Sequence, residues 1–365
     1  MANCYICETE LNKDNSSNEH IILNACGGRL TSNDLLCVKC NSEIGEKIDA
    51  ILAKQTNDLA NLLLIKRHRG EAQSIRAEHV STGREFYLEY GGKPIAVKPH
   101  IEIEDIEKGK KISIKARSRS ELKKILTGLK RNYPQLNVED ALGKAKHFRE
   151  YLDEPLNFDT MIGGSDVLPS IVKIAINFYL LKGGDRKYIK DLIPYLKGES
   201  EMKVAISHHP QDAIYIPGDE VSHVLYIEGN PDEGILYAYV ELYNVHNFLV
   251  LLNQNYDGPK IKTNYIFDVL QSVELNRNVY LEYGKEYILE TLKKGDLGSV
   301  KSVQKAFQRV LNIAKERQWN KSKDDSIKNA MKNSFEKYPE GTPITEKMLN
   351  EFIDELMNDI GPLLR

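Results

Sequence analysis

The first residues that stand out by type and spacing are four cysteines in two pairs, each pair separated by two residues. They are Cys4 and Cys7, then Cys37 and Cys40. Four thiolates complete the tetrahedral shell of one Zn²⁺ ion and leave no open position for water. The pattern therefore predicts a structural zinc site. The fifth cysteine, Cys26, lies outside the pattern, and we expect it to be a small buried residue.

Between the two cysteine pairs, the stretch EHIILNACGG at residues 19–28 places a carboxylate next to an imidazole. Glu19 and His20 could form a catalytic pair, since a histidine that is neutral near pH 7 can act as a general base. The alternative is the polar end of a buried strand, where a histidine most often makes hydrogen bonds within the core. Taken alone, the pair favours the structural interpretation. The surrounding residues are therefore needed to distinguish a catalytic pair from the polar end of a buried strand.

The order of the residues resembles that of HNH endonucleases of the ββα-metal type, in the subclass whose ββα unit is held by a four-cysteine zinc. The series runs C-x-x-C, EHIIL, GG-x-L and LLC-x-x-CN-x-x-x-G. It departs from the family at Leu23, where proline is common, and at Cys26, where a small apolar residue precedes the two glycines. The resemblance covers roughly the first 60 residues.

This resemblance implies a role for several polar side chains. Hydrolysis of a phosphodiester needs a base that deprotonates water and a divalent cation that stabilises the developing charge. By resemblance, His20 is the base, while Glu19 and Asn41 hold Mg²⁺ or Mn²⁺. Asn33 would orient the imidazole, although Ser32 would fit nearly as well.

Composition limits the class of protein. The chain has 365 residues, of which 41% are hydrophobic, and this is enough for two or three domains. No apolar run approaches the roughly 18 residues that cross a bilayer, and the start of the chain has no signal-like segment. Five cysteines are too few for a disulfide framework. We expect a cytoplasmic protein with no membrane contact.

Hydrophobic periodicity predicts an α+β fold in three segments. By the resemblance, residues 1–66 would form the ββα-metal (HNH) zinc module, and the pattern of the later chain predicts an α+β domain with an antiparallel sheet at 67–295 and a helical module at 296–365. In the first segment, SEIGEKIDAIL is a helix that buries one face, formed by Ile44, Ile48, Ile51 and Leu52. Asp49 in this helix could add a carboxylate to the metal site, but we expect it to be a solvated surface residue.

The central segment contains an apolar helix and several strands. The helix is SIVKIAINFYLLKGG, and the strands lie in VSHVLYIEG, ILYAYVELYN and NFLVLLN. Turn residues separate the strands, which is typical of an antiparallel sheet with hairpin connections. Four strand tyrosines are more consistent with sheet packing than with a base-stacking platform, namely Tyr226, Tyr237, Tyr239 and Tyr243.

Positive charge is concentrated in one part of the chain. The net charge is −3, yet residues 108–131 carry ten Lys and Arg against one Asp or Glu. Alternation in KKISIKARSR turns Ile112, Ile114 and Ala116 towards a core and the basic side chains outwards. This predicts a phosphate-binding surface for DNA, with RNA or an ordinary solvated face as alternatives. The candidate residues are Lys111, Lys115, Arg117, Arg119, Lys123 and Lys124.

These observations predict a metal-dependent DNA endonuclease, which family analogy suggests is a homodimer. Two alternatives remain. In the first, a bacterial antiviral-defence effector keeps its nuclease inactive through the later domains until an unknown ligand or protein partner activates it. In the second, the chain is a zinc-dependent nucleic-acid-binding protein without catalysis.

Overall fold

A computed structural model describes residues 2–107, 109–146, 152–161, 163–210, 214–279, 281–295 and 300–361. Lys108, where the basic segment begins, lies outside these residues. The chain forms two compact units, the first made of residues 1–73 with 160–318 and the second of residues 74–159 with 319–365. Helices and antiparallel sheets occur in both units, so the predicted α+β class is confirmed. The three-segment division stays a prediction.

The regular elements are numbered in chain order. The strands are β1 (Glu19–His20), β2 (Thr31–Ser32), β3 (Ile75–His79), β4 (Glu85–Leu88), β5 (Pro94–Ala96), β6 (His100–Ile106), β7 (Gly109–Lys115), β8 (Leu156–Asn157), β9 (Ala205–Ser207), β10 (Ser222–Asn230), β11 (Ile235–Leu242), β12 (His246–Asn253), β13 (Ile261–Asp268) and β14 (Val273–Glu274). The helices are α1 (Val38–Ile44), α2 (Ala50–Gln55), α3 (Asn57–Leu62), α4 (Arg119–Leu129), α5 (Val138–Lys144), α6 (Leu168–Leu181), α7 (Ile193–Lys197), α8 (Lys285–Lys294), α9 (Val300–Phe335) and α10 (Glu346–Ile360).

The amino-terminal module is a short β-hairpin followed by helices. β1 pairs with β2 in antiparallel register, and α1 continues through a π-helical turn at Gly45–Asp49 into α2. In the segment between β1 and β2 the backbone approaches itself so closely that a Cβ atom at Gly28 would lie 2.0 Å from the carbonyl oxygen of Ile22. The glycine is therefore required by a close backbone approach. The hairpin and helix order matches the predicted ββα arrangement.

A six-stranded antiparallel sheet forms the core of the first unit. Its strand order is β14-β13-β10-β11-β12-β9. The apolar helix α6 packs against β9, β10, β11 and β12, as its hydrophobic sequence requires. The four strand tyrosines named above are each at most 1% exposed, so they pack within the sheet and are not a base-stacking surface.

The backbone carbonyl of Cys26 connects the amino-terminal module to this sheet. It accepts hydrogen bonds from Nε2 of His223 and from the hydroxyl of Tyr243, both at 2.9 Å. Nδ1 of the same histidine accepts the backbone N–H of Tyr243 at 3.2 Å, so His223 is held as the neutral Nε2–H tautomer. Cys26 itself is fully buried and its Sγ lies 3.2 Å from Oγ1 of Thr56, which confirms the expectation that it is a packing residue.

The second unit holds two separate sheets. One has the order β5-β4-β3-β8, and the other is the two-stranded ribbon of β6 and β7. The prediction that a core backs the basic strand β7 is wrong. Ile101 and Ile103 on the neighbouring strand are 41% and 42% exposed, and Ile112 and Ile114 are only half-buried. Within the described residues the ribbon has no third strand, and two strands alone cannot enclose an apolar face.

The carboxy-terminal part of the chain is helical, as predicted. Its longest helix, α9, runs without interruption from Val300 to Phe335. No glycine or proline interrupts this segment, so nothing in it ends the helix early. The break occurs at the PEGTP stretch before α10.

Among the described residues, no helix combines the length and the apolar composition that crossing a lipid bilayer requires.

We expect the free energy of unfolding to fall as the pH is lowered from about 6.5 to about 4, because His223 stays neutral in the folded chain. Burial lowers the pKa of His223 to about 4, against 6.5 for an ordinary histidine. Above pH 6.5 neither state binds this proton, whereas below it only the unfolded chain does. The loss should be about 1.4 kcal/mol per pH unit for this histidine.

Chemical denaturation of the wild type and of His223→Gln at several pH values measures the effect. The glutamine can still donate to the Cys26 carbonyl but does not titrate, so its dependence of stability on pH should be shallower. Equal slopes for the two proteins would contradict the assignment.

Candidate active site and metal centre

The four paired cysteines meet at one point of the amino-terminal module. Their Sγ atoms all lie within 4.8 Å of one another, and those of Cys7 and Cys37 are 3.7 Å apart. Zinc–sulfur bonds of about 2.3 Å in a tetrahedron require sulfur separations of about 3.8 Å. Cys37 is the N-cap of α1, and its Sγ also accepts the backbone N–H of Cys40 at 3.5 Å. The geometry therefore fits a four-thiolate zinc site.

The thiols of this cluster need a cation to be held as thiolates together. Burial raises the pKa of Cys4 and of Cys40, and the neighbouring sulfurs raise that of Cys40 further. A bound Zn²⁺ would supply the compensating charge, because metal binding and deprotonation of the ligands are linked. The donor set and its burial thus suit a structural metal site.

His20 lies at the end of β1 with its imidazole partly buried. Its Nε2 is 3.2 Å from Nδ1 of His68, and the two rings are 5.2 Å apart between centroids. Burial lowers the pKa of His20, and the nearby basic side chains of His68, Arg29 and Lys173 lower it further. The imidazole is therefore neutral at pH 7 and able to accept a proton. It is not enclosed in packed hydrocarbon.

Sequence reasoning did not identify His68. It follows α3, beyond the HNH-like motifs, and its backbone N–H donates to Oδ1 of Asn24 at 2.8 Å. This bond holds the segment 66–69 against the hairpin and brings the second imidazole to the first. No spacing rule in the sequence indicates this pairing, since the two histidines are separated by 48 positions.

The two asparagines occupy different environments. Asn41 is on α1 directly after the last cysteine, and its Nδ2 donates to Oγ of Ser17 at 2.5 Å. Asn33 is exposed in the bend after β2. The described residues show no hydrogen bond between Asn33 and His20, and Oγ of Ser32 accepts the backbone N–H of Asp34. The orienting role of Asn33 stays a prediction.

Glu19 is buried and is held by two side chains of α6. Nζ of Lys173 lies 2.6 Å from Oε1 of Glu19, and Nδ2 of Asn177 donates to the same oxygen at 3.0 Å. Nζ of Lys173 also lies 2.6 Å from Oδ2 of Asp49. One ammonium group therefore bridges two carboxylates.

The expectation that Asp49 is a solvated helix residue is wrong. Its side chain is only 14% exposed, and Oγ of Ser170 donates to its Oδ1 at 2.7 Å. The π-helical turn carries Asp49, and α6 covers the face of the module on which this turn lies. The local helical pattern could not reveal this cover, because α6 lies more than a hundred positions later.

The pKa values of Lys173 and Glu19 in this buried cluster are set by burial and by the charges of their neighbours. Burial by itself lowers the pKa of Lys173, but Asp49 and Glu19 outweigh it, so the net pKa is raised and the ammonium stays charged. Burial raises the pKa of Glu19, and Lys173 opposes that rise. The carboxylate oxygens of Glu19 and Asp49 have the chemistry that Mg²⁺ or Mn²⁺ prefers, whereas Asn41 contacts Ser17 and makes no hydrogen bond to this cluster among the described residues. In this structure the carboxylates are engaged by the ammonium.

The six basic candidates are all exposed on or next to β7 and α4. Acidic side chains neutralise several of them. Lys111 pairs with Glu104 at 3.0 Å, and Arg117 pairs with Glu121. Lys123 lies 3.6 Å from Glu139. The local excess of positive charge is therefore smaller than the sequence count indicates.

Comparison with known proteins supports the interpretation of the amino-terminal module. Residues 4–57 match the family model of the HNH endonuclease. No curated protein and no solved structure matches the chain. The match begins at the first cysteine of the cluster and ends just after α2. Residues 4–57 of this chain thus form a module of the HNH endonuclease family, built around four cysteines that are arranged to bind zinc.

Proposed function

We propose that the protein is a metal-dependent endonuclease that hydrolyses phosphodiester bonds in DNA. The observation that carries this proposal is the position of His20. Its imidazole is neutral and partly buried at the end of β1, in a module that matches the HNH family and contains the four-cysteine cluster. A neutral imidazole in this position has the property that a general base needs.

The proposed reaction assigns one task to each polar group. His20 accepts a proton from the water that attacks phosphorus, and Asn33 orients its ring. Glu19 and Asn41 would hold Mg²⁺ or Mn²⁺. When bound, such a cation supplies electrostatic stabilisation of the charge that develops on the phosphate and on the leaving oxygen. The hydrogen bond between Nε2 of His20 and Nδ1 of His68 holds the imidazole in place.

Zinc would have a structural role in the same module. The two strands of the hairpin have only two residues each, and such a short hairpin has little stability of its own. A four-thiolate site ties the amino-terminal turn to the start of α1 and leaves no coordination position for water. Zinc would therefore hold the amino-terminal turn against the start of α1, the helix that carries Asn41.

The exposed basic side chains on β7 and α4 are proposed to contact the phosphate backbone. Arg119 and Lys124 are both exposed on α4, and among the described residues no acidic side chain forms an ion pair with either of them. Contacts of this kind contribute affinity without sequence selectivity. A polyanion would also compete with Glu104 and Glu139 for their lysine partners.

His20→Ala should lower the rate of DNA cleavage by a factor of about 100 or more, because it removes the general base. Cleavage of supercoiled plasmid, linear DNA, single-stranded DNA and RNA is measured with Mg²⁺ and with Mn²⁺. His100→Ala is the matched control, since this histidine is exposed on β6 in the other unit. Cleavage by His20→Ala at the rate of an active wild type would refute the assignment of the base.

Cys40→Ser should lose bound zinc and unfold at a lower temperature than the wild type, because three thiolates hold Zn²⁺ less tightly than four. Elemental analysis should find about one zinc per wild-type chain. Cys26→Ala is the control, as this cysteine is buried outside the cluster, and it should keep the metal. Wild-type protein without zinc would contradict the proposed site.

The double variant Arg119→Glu and Lys124→Glu should bind DNA more weakly, and the slope of log affinity against log salt should fall by up to about 2. Fluorescence anisotropy with labelled duplex at several salt concentrations measures this slope. The control is Lys328→Glu with Lys347→Glu, which makes the same charge change at exposed positions of α9 and α10. An equal loss of affinity in both double variants would show that only net charge matters.

A further inference from the structure

The polar side chains of α6 form one stripe on an otherwise apolar helix. Ser170, Lys173 and Asn177 are spaced so that they share one face, and each is at most 2% exposed. All three contact carboxylates of the amino-terminal module. Burying polar and charged groups in this way is unfavourable unless each finds a partner. The stripe is therefore matched to Glu19 and Asp49 specifically.

Lys173 takes the position that a divalent cation would need. Its Nζ lies 2.6 Å from an oxygen of each carboxylate, and both carboxylates are largely buried. A metal ion bound by Glu19 would use the same oxygen lone pairs at about 2.1 Å. An ammonium group and a divalent cation this close together would repel each other strongly. The two cations cannot occupy the cluster at once.

Two further features suit a cation with more charge and more ligands than an ammonium group. Two carboxylates and one ammonium leave the cluster with one net negative charge, whereas a divalent ion would neutralise the pair. In addition, Oδ1 of the fully buried Asn177 has no hydrogen-bond partner among the described residues, although its Nδ2 contacts Glu19. An unpartnered amide oxygen on the residue that contacts the Glu19 carboxylate is a hard donor of the type that Mg²⁺ and Mn²⁺ bind.

We propose that Lys173 and a divalent cation compete for the Glu19–Asp49 carboxylate pair, so that α6 holds the nuclease module without its metal until Lys173 is withdrawn. Asp49 thereby becomes a ligand of the divalent cation and Lys173 an internal blocking cation. This inference rests on the proposed function, in which Glu19 holds the metal. Activation then requires a metal concentration that displaces the ammonium, or a change that moves α6.

The test measures Mn²⁺ affinity of the zinc-loaded full chain by titration calorimetry and by the electron paramagnetic resonance of free Mn²⁺. Lys173→Met should bind Mn²⁺ with a dissociation constant roughly ten-fold or more below that of the wild type. Its melting temperature should also rise with added Mn²⁺ more than that of the wild type. Lys182→Met is the matched control, because Lys182 is exposed just after the end of the same helix.

Lys173→Met leaves two buried carboxylates without their counter-charge and could fail to fold without metal. The second variant is therefore Lys173→Met with Asp49→Asn, which keeps the net charge of the wild-type cluster. It should bind Mn²⁺ more tightly than Asp49→Asn alone, in which Lys173 still blocks Glu19. Adding Glu19→Gln to the double variant should abolish the gain.

The proposal is overturned if the folded Lys173→Met protein binds Mn²⁺ no more tightly than the wild type. It is equally overturned if the double variant shows no gain over Asp49→Asn. Both readouts are independent of cleavage. A gain in Mn²⁺ affinity together with cleavage that does not need His20 would refute the proposed function and leave the competition standing. Cleavage that needs His20 without a gain in affinity would refute the competition alone.

Discussion

The ion pairs of Lys173 with Glu19 and Asp49 are the constraint on which the arrangement of the candidate site depends. The lysine comes from α6, and the two carboxylates come from β1 and from the π-helical turn after α1. Removing one partner of a buried charge cluster typically costs about 3–5 kcal/mol, because the remaining charge has lost its solvation. The position of α6 is therefore coupled to the position of the carboxylate next to His20. A residue outside the family match thus forms an ion pair with a residue inside it.

Two other connections fix the same module from different sides. The carbonyl of Cys26 accepts hydrogen bonds from His223 and Tyr243, and the four-cysteine cluster brings the amino-terminal turn to the start of α1. The two hydrogen bonds to the Cys26 carbonyl are buried, which strengthens them relative to bonds exposed to water. Strands of only two residues cannot hold His20 in place by sheet pairing alone. The module owes its geometry to these three anchor points.

The sequence allowed prediction of the features that depend on local spacing. The cysteine pairs, the hairpin with His20, the apolar helix and the antiparallel strands β10 to β12 all follow from patterns within a few turns or strands. Two features could not be predicted from the sequence, because each depends on residues that are far apart in the chain. Asp49 resembles a surface residue until α6 covers it, and His68 has no motif that connects it to His20. The exposure of the β6–β7 ribbon could not be predicted either, because alternation shows which side chains share one face of a strand but not whether another element covers that face.

Because α6 is coupled to the carboxylates of the amino-terminal module, the role of the residues after 67 has to be tested by substitution and not by truncation. A fragment that ends before residue 67 would lack Lys173, but it would equally lack His223 and Tyr243, and it would expose apolar side chains that the sheet now covers. A change in its activity would combine the loss of the blocking cation with the loss of two structural anchors. His68 would be lost as well, and with it the contact to His20. Only substitutions within the intact unit separate the electrostatic effect of the lysine from the stability that the sheet provides.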